Sequence, residues 1–357
     1  MIYRSLIYPL LSRLDAEWTH EETLRVLELA QRVAPGPTLL RALAGRVPER
    51  PVEAFGLRFP NAVGVAAGFD KDARVAMGLG MLGFGHVEVG TLTPRPQEGN
   101  PRPRIFRLPR QRGLINRMGF PNGGVDAAVP RLAALAGESR SFLIGVSLGK
   151  QKETPLAEAV GDYLAVMRKV HRYAAYLAVN ISSPNTPGLR ELQGGKFLSE
   201  LCGELVREGA HLTRDSGLPR RPILVKIAPD LSRAELDEIL ETIIHAGIDG
   251  VIATNTTLKR PGVRGAVAKE AGGLSGAPVG ERSLKLISHI YRTTGGRLPI
   301  IAVGGIATPE DARRRLDAGA SLVQVYTGLV YEGPCLAGRL ARGIRGGGVS
   351  PGPENPL

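Results

Sequence analysis

The chain reads as an α/β protein, a (β/α)8 TIM barrel with a small N-terminal helical extension. Two patterns predict this. From Pro51 onward, eight apolar runs of roughly four to eight residues alternate with segments of helical periodicity over about 300 residues. Each run leads into glycine or a polar residue, the composition expected where the carboxyl ends of barrel strands gather around a ligand. No G-x-G-x-x-G follows any run, which speaks against a doubly wound dinucleotide-binding sheet.

Residues 1–50 form the extension. Leu6, Ile7, Leu10, Leu11, Leu14 and Trp18 recur at three and four positions, giving a short amphipathic helix that starts near Pro9 or is disturbed by it. A second helix is expected to start at Thr19, where Thr19-x-x-Glu22 has the spacing of a capping box. Leu24, Leu27, Ala30 and Val33 share its apolar stripe until Pro35-Gly36-Pro37 stops it. Leu39 to Leu43 is a third short piece. Helices of this kind either pack on the main domain or form an interfacial lid that meets a bilayer or admits an apolar ligand.

Residues 51–345 carry the barrel. Strands are expected at Ala62–Ala66, His86–Gly90, Phe142–Ser147, Tyr176–Ile181, Ile223–Ile227, Gly250–Thr254, Ile300–Val303 and Leu322–Tyr326. Helices are expected at Ala73–Met81, Val125–Leu135, Leu156–Val170, Phe197–Thr213, Arg233–Ala246, Glu281–Thr293, Pro309–Ala318 and Pro334–Ile344. The Gly- and Pro-rich residues 346–357 read as a flexible tail.

Composition removes several function classes. The two cysteines of the 357 residues, Cys202 and Cys335, stand far apart without a CxxC or Cys/His cluster, so a disulfide scaffold and a thiolate zinc site are excluded and no metal is expected. The formal net charge is +12, and seven arginines fall between Arg95 and Arg117 against the single acid Glu98. No recognition motif or aromatic interleaving accompanies them, so the cluster reads as a solvated or phosphate-attracting loop and no nucleic-acid partner is expected. No apolar run approaches the ~18 residues of a membrane span.

Three groups at the strand ends carry chemistry. Val303-Gly304-Gly305-Ile306 and Tyr326-Thr327-Gly328 follow the seventh and eighth strands, where barrels commonly hold a phosphate on backbone N–H groups; tight turns alone are the other reading. Asn116, Asn180, Asn185 and Asn255 supply amides that donate and accept in one plane, suited to a flat heterocycle with alternating N–H and C=O groups. Lys71 and Lys226 bring cations to a site with few acids, which suits an anionic substrate or negative charge developing on a cofactor. These groups alone leave a non-redox, phosphate-binding isomerase or lyase open.

Ala66-Ala-Gly-Phe-Asp-Lys-Asp72, Gly90-Thr-Leu-Thr-Pro-Arg-Pro96, Asn116-Arg-Met-Gly-Phe120, Asn180-Ile-Ser-Ser-Pro-Asn-Thr-Pro-Gly188, Lys226-Ile-Ala-Pro-Asp230, Thr254-Asn-Thr256, Gly272-Gly-Leu-Ser-Gly276 and Val303-Gly-Gly-Ile306 occur in this order. Together they resemble class 2 dihydroorotate dehydrogenases, over about residues 1 to 345. The resemblance implies an FMN-containing barrel that oxidises (S)-dihydroorotate to orotate, the fourth step of pyrimidine synthesis, and passes electrons to ubiquinone or menaquinone at the cytoplasmic face of the cell membrane, to which the protein binds peripherally. It implies that Ala67, Gly68, Lys71, Thr91, Asn180, Lys226, Thr254, Gly276, Gly305, Tyr326 and Thr327 hold FMN. Ser147, where the family usually has Asn, implies a weaker contact of the same kind.

Substrate contacts are implied for Lys71, Asn116, Arg117, Met118, Gly119, Phe120, Asn180, Asn185, Asn255 and Thr256. Ser183 matches the family's catalytic base, which removes the C5 proton while the C6 hydride moves to flavin N5. Class 1 relatives use Cys there and lack the N-terminal helices. His20 and Arg107 fall at positions that in the family lie near the quinone head, and residues 1–50 resemble the family's membrane-associating hairpin and tunnel. A related flavin barrel acting on another pyrimidine or on a soluble acceptor is the neighbouring alternative.

Overall fold

A computed structural model describes residues 3–344; the expected tail at 346–357 lies outside the described residues. A π-helical turn (Tyr3–Ile7) opens the described chain, followed by α1 (Tyr8–Leu11), α2 (Ala16–Ala30) and α3 (Gly36–Ala44). The start of α2 corrects the sequence expectation. The Asp15 carboxylate, not Thr19, caps the helix, accepting from the N–H groups of Glu17 at 3.0 Å and Trp18 at 2.9 Å. Thr19 is already inside the first turn, its hydroxyl donating to the Asp15 carbonyl, so Trp18 belongs to α2 and Pro9 to the first turn of the short α1.

A hairpin of β1 (Val52–Ala54) and β2 (Leu57–Phe59) comes next. It turns through Phe55 and Gly56, both at positive φ, the backbone that two-residue hairpins favour. The barrel then runs β3 (Val63–Val65), α4 (Ala76–Met81), β4 (His86–Leu92), an excursion through β5 (Ile105–Leu108) and β6 (Gly113–Asn116), α5 (Val125–Gly137), β7 (Leu143–Leu148), α6 (Ala159–Val170), β8 (Tyr176–Asn180), α7 (Gly195–Ser216), β9 (Ile223–Ile227), α8 (Arg233–His245) and β10 (Gly250–Ala253). It continues through β11 (Gly273–Gly276), α9 (Gly280–Thr294), β12 (Ile300–Val303), α10 (Pro309–Asp317), β13 (Leu322–Val325), α11 (Thr327–Glu332) and α12 (Leu336–Gly343).

Strands β3, β4, β7, β8, β9, β10, β12 and β13 pair in parallel and close into a ring, β13 returning to β3 with Gln324 opposite Gly64. All eight expected strands are present. Sequence reading missed the antiparallel sheet β5–β6–β11, which stands over the barrel mouth, and the short helix α11.

Each barrel strand is buried on both faces, and the faces carry different cores. Val63, Val87, Ile144, Leu177, Val225 and Val323 point outward under the helices; Ala62, Tyr176, Ala178, Leu224, Ile252 and Leu322 fill the interior. The interior narrows where two large rings enter. A Cβ on Gly64 would fall 2.1 Å from the His86 ring and one on Gly145 equally close to the Tyr176 ring, so both strands need glycine to seat them. Phe59 of the hairpin closes the amino-terminal end, edge-on to His86 with ring centroids 5.3 Å apart.

His86 is fully buried, and neither ring nitrogen has a hydrogen-bond partner among the described residues. Burial pushes its pKa down to about 3, so the folded chain holds the neutral ring while the unfolded chain protonates near 6.5. The associated stability is fully present above about pH 6.5 and is lost as pH falls towards 3, the loss reaching about 2 kcal/mol by pH 5. In His86→Leu, urea unfolding at pH 7 and pH 5 is expected to differ by about 2 kcal/mol less than in the unmodified chain; an unchanged difference would contradict a buried neutral histidine.

Candidate active site

Closure of the ring brings the carboxyl ends of all eight strands to one rim, and a polar cavity opens there beneath β5, β6 and β11. Of the residues singled out from the sequence, Ala67, Gly68, Lys71, Thr91, Asn180, Lys226, Thr254, Gly276, Gly305, Tyr326 and Thr327 line it. So do Asn116, Met118, Gly119, Phe120, Ser183, Asn185, Asn255 and Thr256.

The amides are held in a continuous network. Asn180 Nδ2 donates to Thr91 Oγ1 at 2.9 Å, Asn255 Nδ2 donates to Asn180 Oδ1 at 3.3 Å and to Ser182 Oγ at 3.0 Å, and Asn255 Oδ1 accepts from the Thr256 N–H at 2.8 Å. Across the mouth, Asn185 Nδ2 donates to Asn116 Oδ1 at 3.2 Å. The amide planes are thereby fixed before any ligand arrives. Ser183 is buried, and its Oγ accepts from the Asn185 N–H at 3.3 Å.

At the β12 and β13 ends the backbone itself lines the cavity. Gly305 sits at φ +70°, and a Cβ there would lie 2.4 Å from the Gly280 Cα; only glycine allows this turn. A Cβ on Gly328 would fall 2.1 Å from the Ile306 carbonyl oxygen. The buried Arg315 holds the turn from behind, donating to the carbonyls of Gly280 at 3.0 Å and Gly304 at 3.1 Å. Such a cradle, at the end where barrels bind phosphate, fits a phosphorylated ligand.

A second cavity, largely apolar, lies between the N-terminal helices and the barrel, and His20 and Arg107 both line it. Tyr326, Ile105 and Leu114 border both cavities and form the wall between them. His20 Nε2 is 3.4 Å from Lys71 Nζ, and its ring stands edge-on to Phe69. Desolvation, and then the Lys71 charge, hold His20 well below the ordinary histidine pKa, so it is neutral at pH 7. Desolvation also lowers Lys71, against the opposing pull of Glu21 and Asp72.

Two of the expected residues do not line the cavity. Ser147 is one layer below the cavity, its hydroxyl 2.9 Å from Thr91 Oγ1, and so supports Thr91. Arg117 turns away, pairing with Glu270 and lying over the Phe106 ring at 4.7 Å. Much of the arginine cluster proves to be paired: Arg102 and Arg104 with Glu17, Arg112 with Glu332. Sequence reading missed Ser275, whose hydroxyl meets Thr327 Oγ1 at 2.8 Å, and Gln324, which reaches the cavity floor from β13. Among the described residues no cluster of His, Cys, Asp or Glu is arranged to hold a metal ion.

A cavity lined by fixed amides, a glycine cradle at the β12 and β13 ends, a buried lysine in the floor and an apolar cavity one residue-thickness away mark the chain as a barrel enzyme, with a site that fits a phosphorylated flat cofactor and a small polar substrate. Comparison with known proteins narrows the class. A family model described as dihydroorotate dehydrogenase matches residues 51–346. The dihydroorotate dehydrogenase (quinone) of Chloroflexus aurantiacus is 50% identical over 353 residues, 96% of each chain. The protein of the same name from Cellvibrio japonicus is 49% identical over 95% of this chain and 97% of its own. The crystal structure of DHODH in complex with ferulenol from Eimeria tenella superposes with a TM-score of 0.82 at 38% identity, covering 92% of this chain and 90% of that one. The chain belongs to the dihydroorotate dehydrogenase family of oxidoreductases, in its class 2, quinone-dependent branch.

One ion pair ties the extension to this site. The buried Glu17 of α2 accepts from Arg104 Nε at 3.0 Å and from its terminal nitrogen at 2.6 Å, while Arg104 also donates to the carbonyls of Glu98 and Asn100. Asn100 in turn donates to the carbonyls of Arg117 and Asn185. Removing one partner of such a pair strands the other. Glu17→Ala is expected to lower unfolding stability in urea by about 3 kcal/mol, and adding Arg104→Met is expected to recover part of the loss; a single variant within ~0.5 kcal/mol of the parent would show that the pair does not anchor α2.

Proposed function

We propose that the chain oxidises (S)-dihydroorotate to orotate in the polar cavity with bound FMN, and delivers the two electrons to a membrane quinone, ubiquinone or menaquinone, through the apolar one. The observation that carries this reading is the common wall: Tyr326, Ile105 and Leu114 border both cavities, so a flavin in the first lies within electron-transfer reach of an apolar acceptor in the second. The glycine cradle at Gly276, Gly305 and Gly328 suits the FMN phosphate, and Ala67, Gly68, Thr91, Asn180, Lys226 and Thr254 would hold its ring. Bound there, FMN supplies the two-electron acceptor that no side chain provides.

The side chains do the remainder. Lys71, Asn116, Asn185, Asn255 and Thr256 offer the donors and acceptors that match the carboxylate and ring amides of dihydroorotate, while Met118, Gly119 and Phe120 close over it from the loop after β6. Ser183 takes the C5 proton as the C6 hydrogen leaves with its electron pair. The hydroxyl gives up its own proton to solvent as it takes the one from C5, and the Asn185 N–H that donates to Oγ steadies the charge on that oxygen. Dihydroorotate thus loses two protons and two electrons, and the quinone gains them as quinol. The reaction corresponds to the fourth step of pyrimidine synthesis.

Visible spectra of the purified protein test the reading directly. Flavin absorbance should bleach on anaerobic dihydroorotate and recover on adding a ubiquinone analogue, not fumarate. Ser183→Ala should keep its flavin and bleach at least ~10²-fold more slowly; bleaching at the parent rate would remove Ser183 from the mechanism.

Among the described residues no helix is long and apolar enough to cross a membrane. The extension nevertheless exposes Leu10 at 64%, Val26 at 67% and Leu29 at 65%, with Leu6, Leu14, Trp18 and Leu39 beside them. Large apolar side chains left exposed on one short segment favour an interface, which supports peripheral membrane binding; the cytoplasmic face is the side we propose. Leu10→Glu with Leu29→Glu should abolish sedimentation with lipid vesicles while leaving dihydroorotate bleaching intact; equal sedimentation would move the membrane contact elsewhere.

A further inference from the structure

Inside the barrel, one layer below the cavity floor, Glu88 of β4 is completely buried. Its partners come from three other strands. Lys226 Nζ on β9 lies 3.4 Å from Oε1, while Gln324 Nε2 on β13 donates to Oε2 at 2.9 Å and the Tyr176 hydroxyl on β8 donates to it at 3.2 Å. Tyr176 and Gln324 also meet each other at 3.1 Å. The surrounding interior is apolar, with Ala178, Leu224, Ile252 and Ile301. Among the described residues Lys226 is the only cation within ion-pair distance of Glu88.

Apolar residues of similar volume fill a barrel interior at least as stably as a buried ion pair. The pair therefore calls for a reason beyond packing, and its position supplies one. Lys226 and Gln324 each line the cavity above and touch Glu88 below. We infer that Glu88 is a positioning residue which fixes the Lys226 ammonium under the cofactor and neutralises it, so that the pair sets the electron affinity of the bound flavin. The inference rests on the FMN reading. In a low-dielectric interior, Lys226 without its counter-charge would favour the electron-rich reduced cofactor strongly and so retain electrons that must pass to an acceptor. With Glu88 beneath it, the same lysine keeps its hydrogen-bonding position while much of its field is cancelled. Tyr176 and Gln324 draw part of the carboxylate's charge away from Lys226, which sets how complete the cancellation is.

The test is the midpoint potential of the bound flavin, read by equilibration against a dye of known potential at pH 7. Glu88→Gln should raise the reduced-to-oxidised ratio at fixed potential about tenfold, a positive shift of about 30 mV for a two-electron couple. Glu88→Asp, which restores the charge, should return towards the parent. Tyr176→Phe removes one donor to the carboxylate and keeps the packing, so it should shift the potential the opposite way by a smaller amount, and it serves as the test if Glu88→Gln does not fold. General damage to the site would not move the two variants in opposite directions. Flavin bound with an unmoved potential, or shifts of the same sign, would overturn this inference alone; absence of flavin from the parent protein, even after adding FMN, would overturn the cofactor reading with it.

Discussion

The seam between β13 and β3 is the constraint on which the rest of the molecule depends. Val323, Gln324 and Val325 pair in parallel with Val63, Gly64 and Val65, joining strands about 260 positions apart in the chain. Without that pairing the sheet would be open, and its eight carboxyl ends would fan apart. With it, loops that are remote in sequence must meet: Lys71 after β3, Asn180 at the end of β8, Asn255 after β10 and Gly305 after β12 share one cavity. Parallel strands bury both faces, so closure also sets the terms for every side chain inside the ring.

Those terms explain the uneven interior. Its lower layers are filled by rings, with His86 and Tyr176 seated against glycines on neighbouring strands and Phe59 packed against both rings. Above them the filling turns polar at Glu88, Gln324 and Lys226, and above these is the cavity. A buried charge in such a place is costly unless it finds partners, and the Glu88 carboxylate finds three. The gradient from apolar base to polar floor is thus a consequence of asking one sealed cylinder to be both a core and the underside of a binding site.

The parts hardest to read in the sequence are those whose stabilising partner is far away. The barrel strands were legible because runs such as Ile223–Ile227 are continuously apolar and end in polar residues. By contrast Ile105–Leu108, interrupted by Arg107, reads as part of a basic loop; it becomes strand because β6 pairs with it and with β11, about 160 residues on. In the extension, Thr19 and Glu22 match a capping box in spacing, yet Asp15 wins because its carboxylate reaches two free N–H groups at the true first turn. Glu88 was missed for a related reason. His-Val-Glu-Val alternates as a strand with one solvated face would, and only closure reveals that the polar side looks inward. Most of the expected residues, carried on contiguous motifs, do line the cavity; the Arg117 side chain does not, because its direction is decided by Glu270 and Phe106.

The extension shows how a helix without a strong intrinsic anchor becomes part of the site. Much of the surface of α2 is exposed and apolar, and helices of this length are marginal alone. Its barrel-facing side buries Leu24 and Leu27 and also carries Glu17, Glu21 and Glu28, which meet Arg104 and Arg74 rising from the loops around the cavity mouth. The charges that seat the helix are therefore attached to the loops that shape the polar cavity, through Asn100 on one side and the Asp70–Arg74 turn on the other. Between them His20 meets Lys71, one residue from each cavity. Seating α2 thus does two things with one set of contacts: it encloses the apolar cavity, and it holds the Lys71 loop against the wall that the two cavities share.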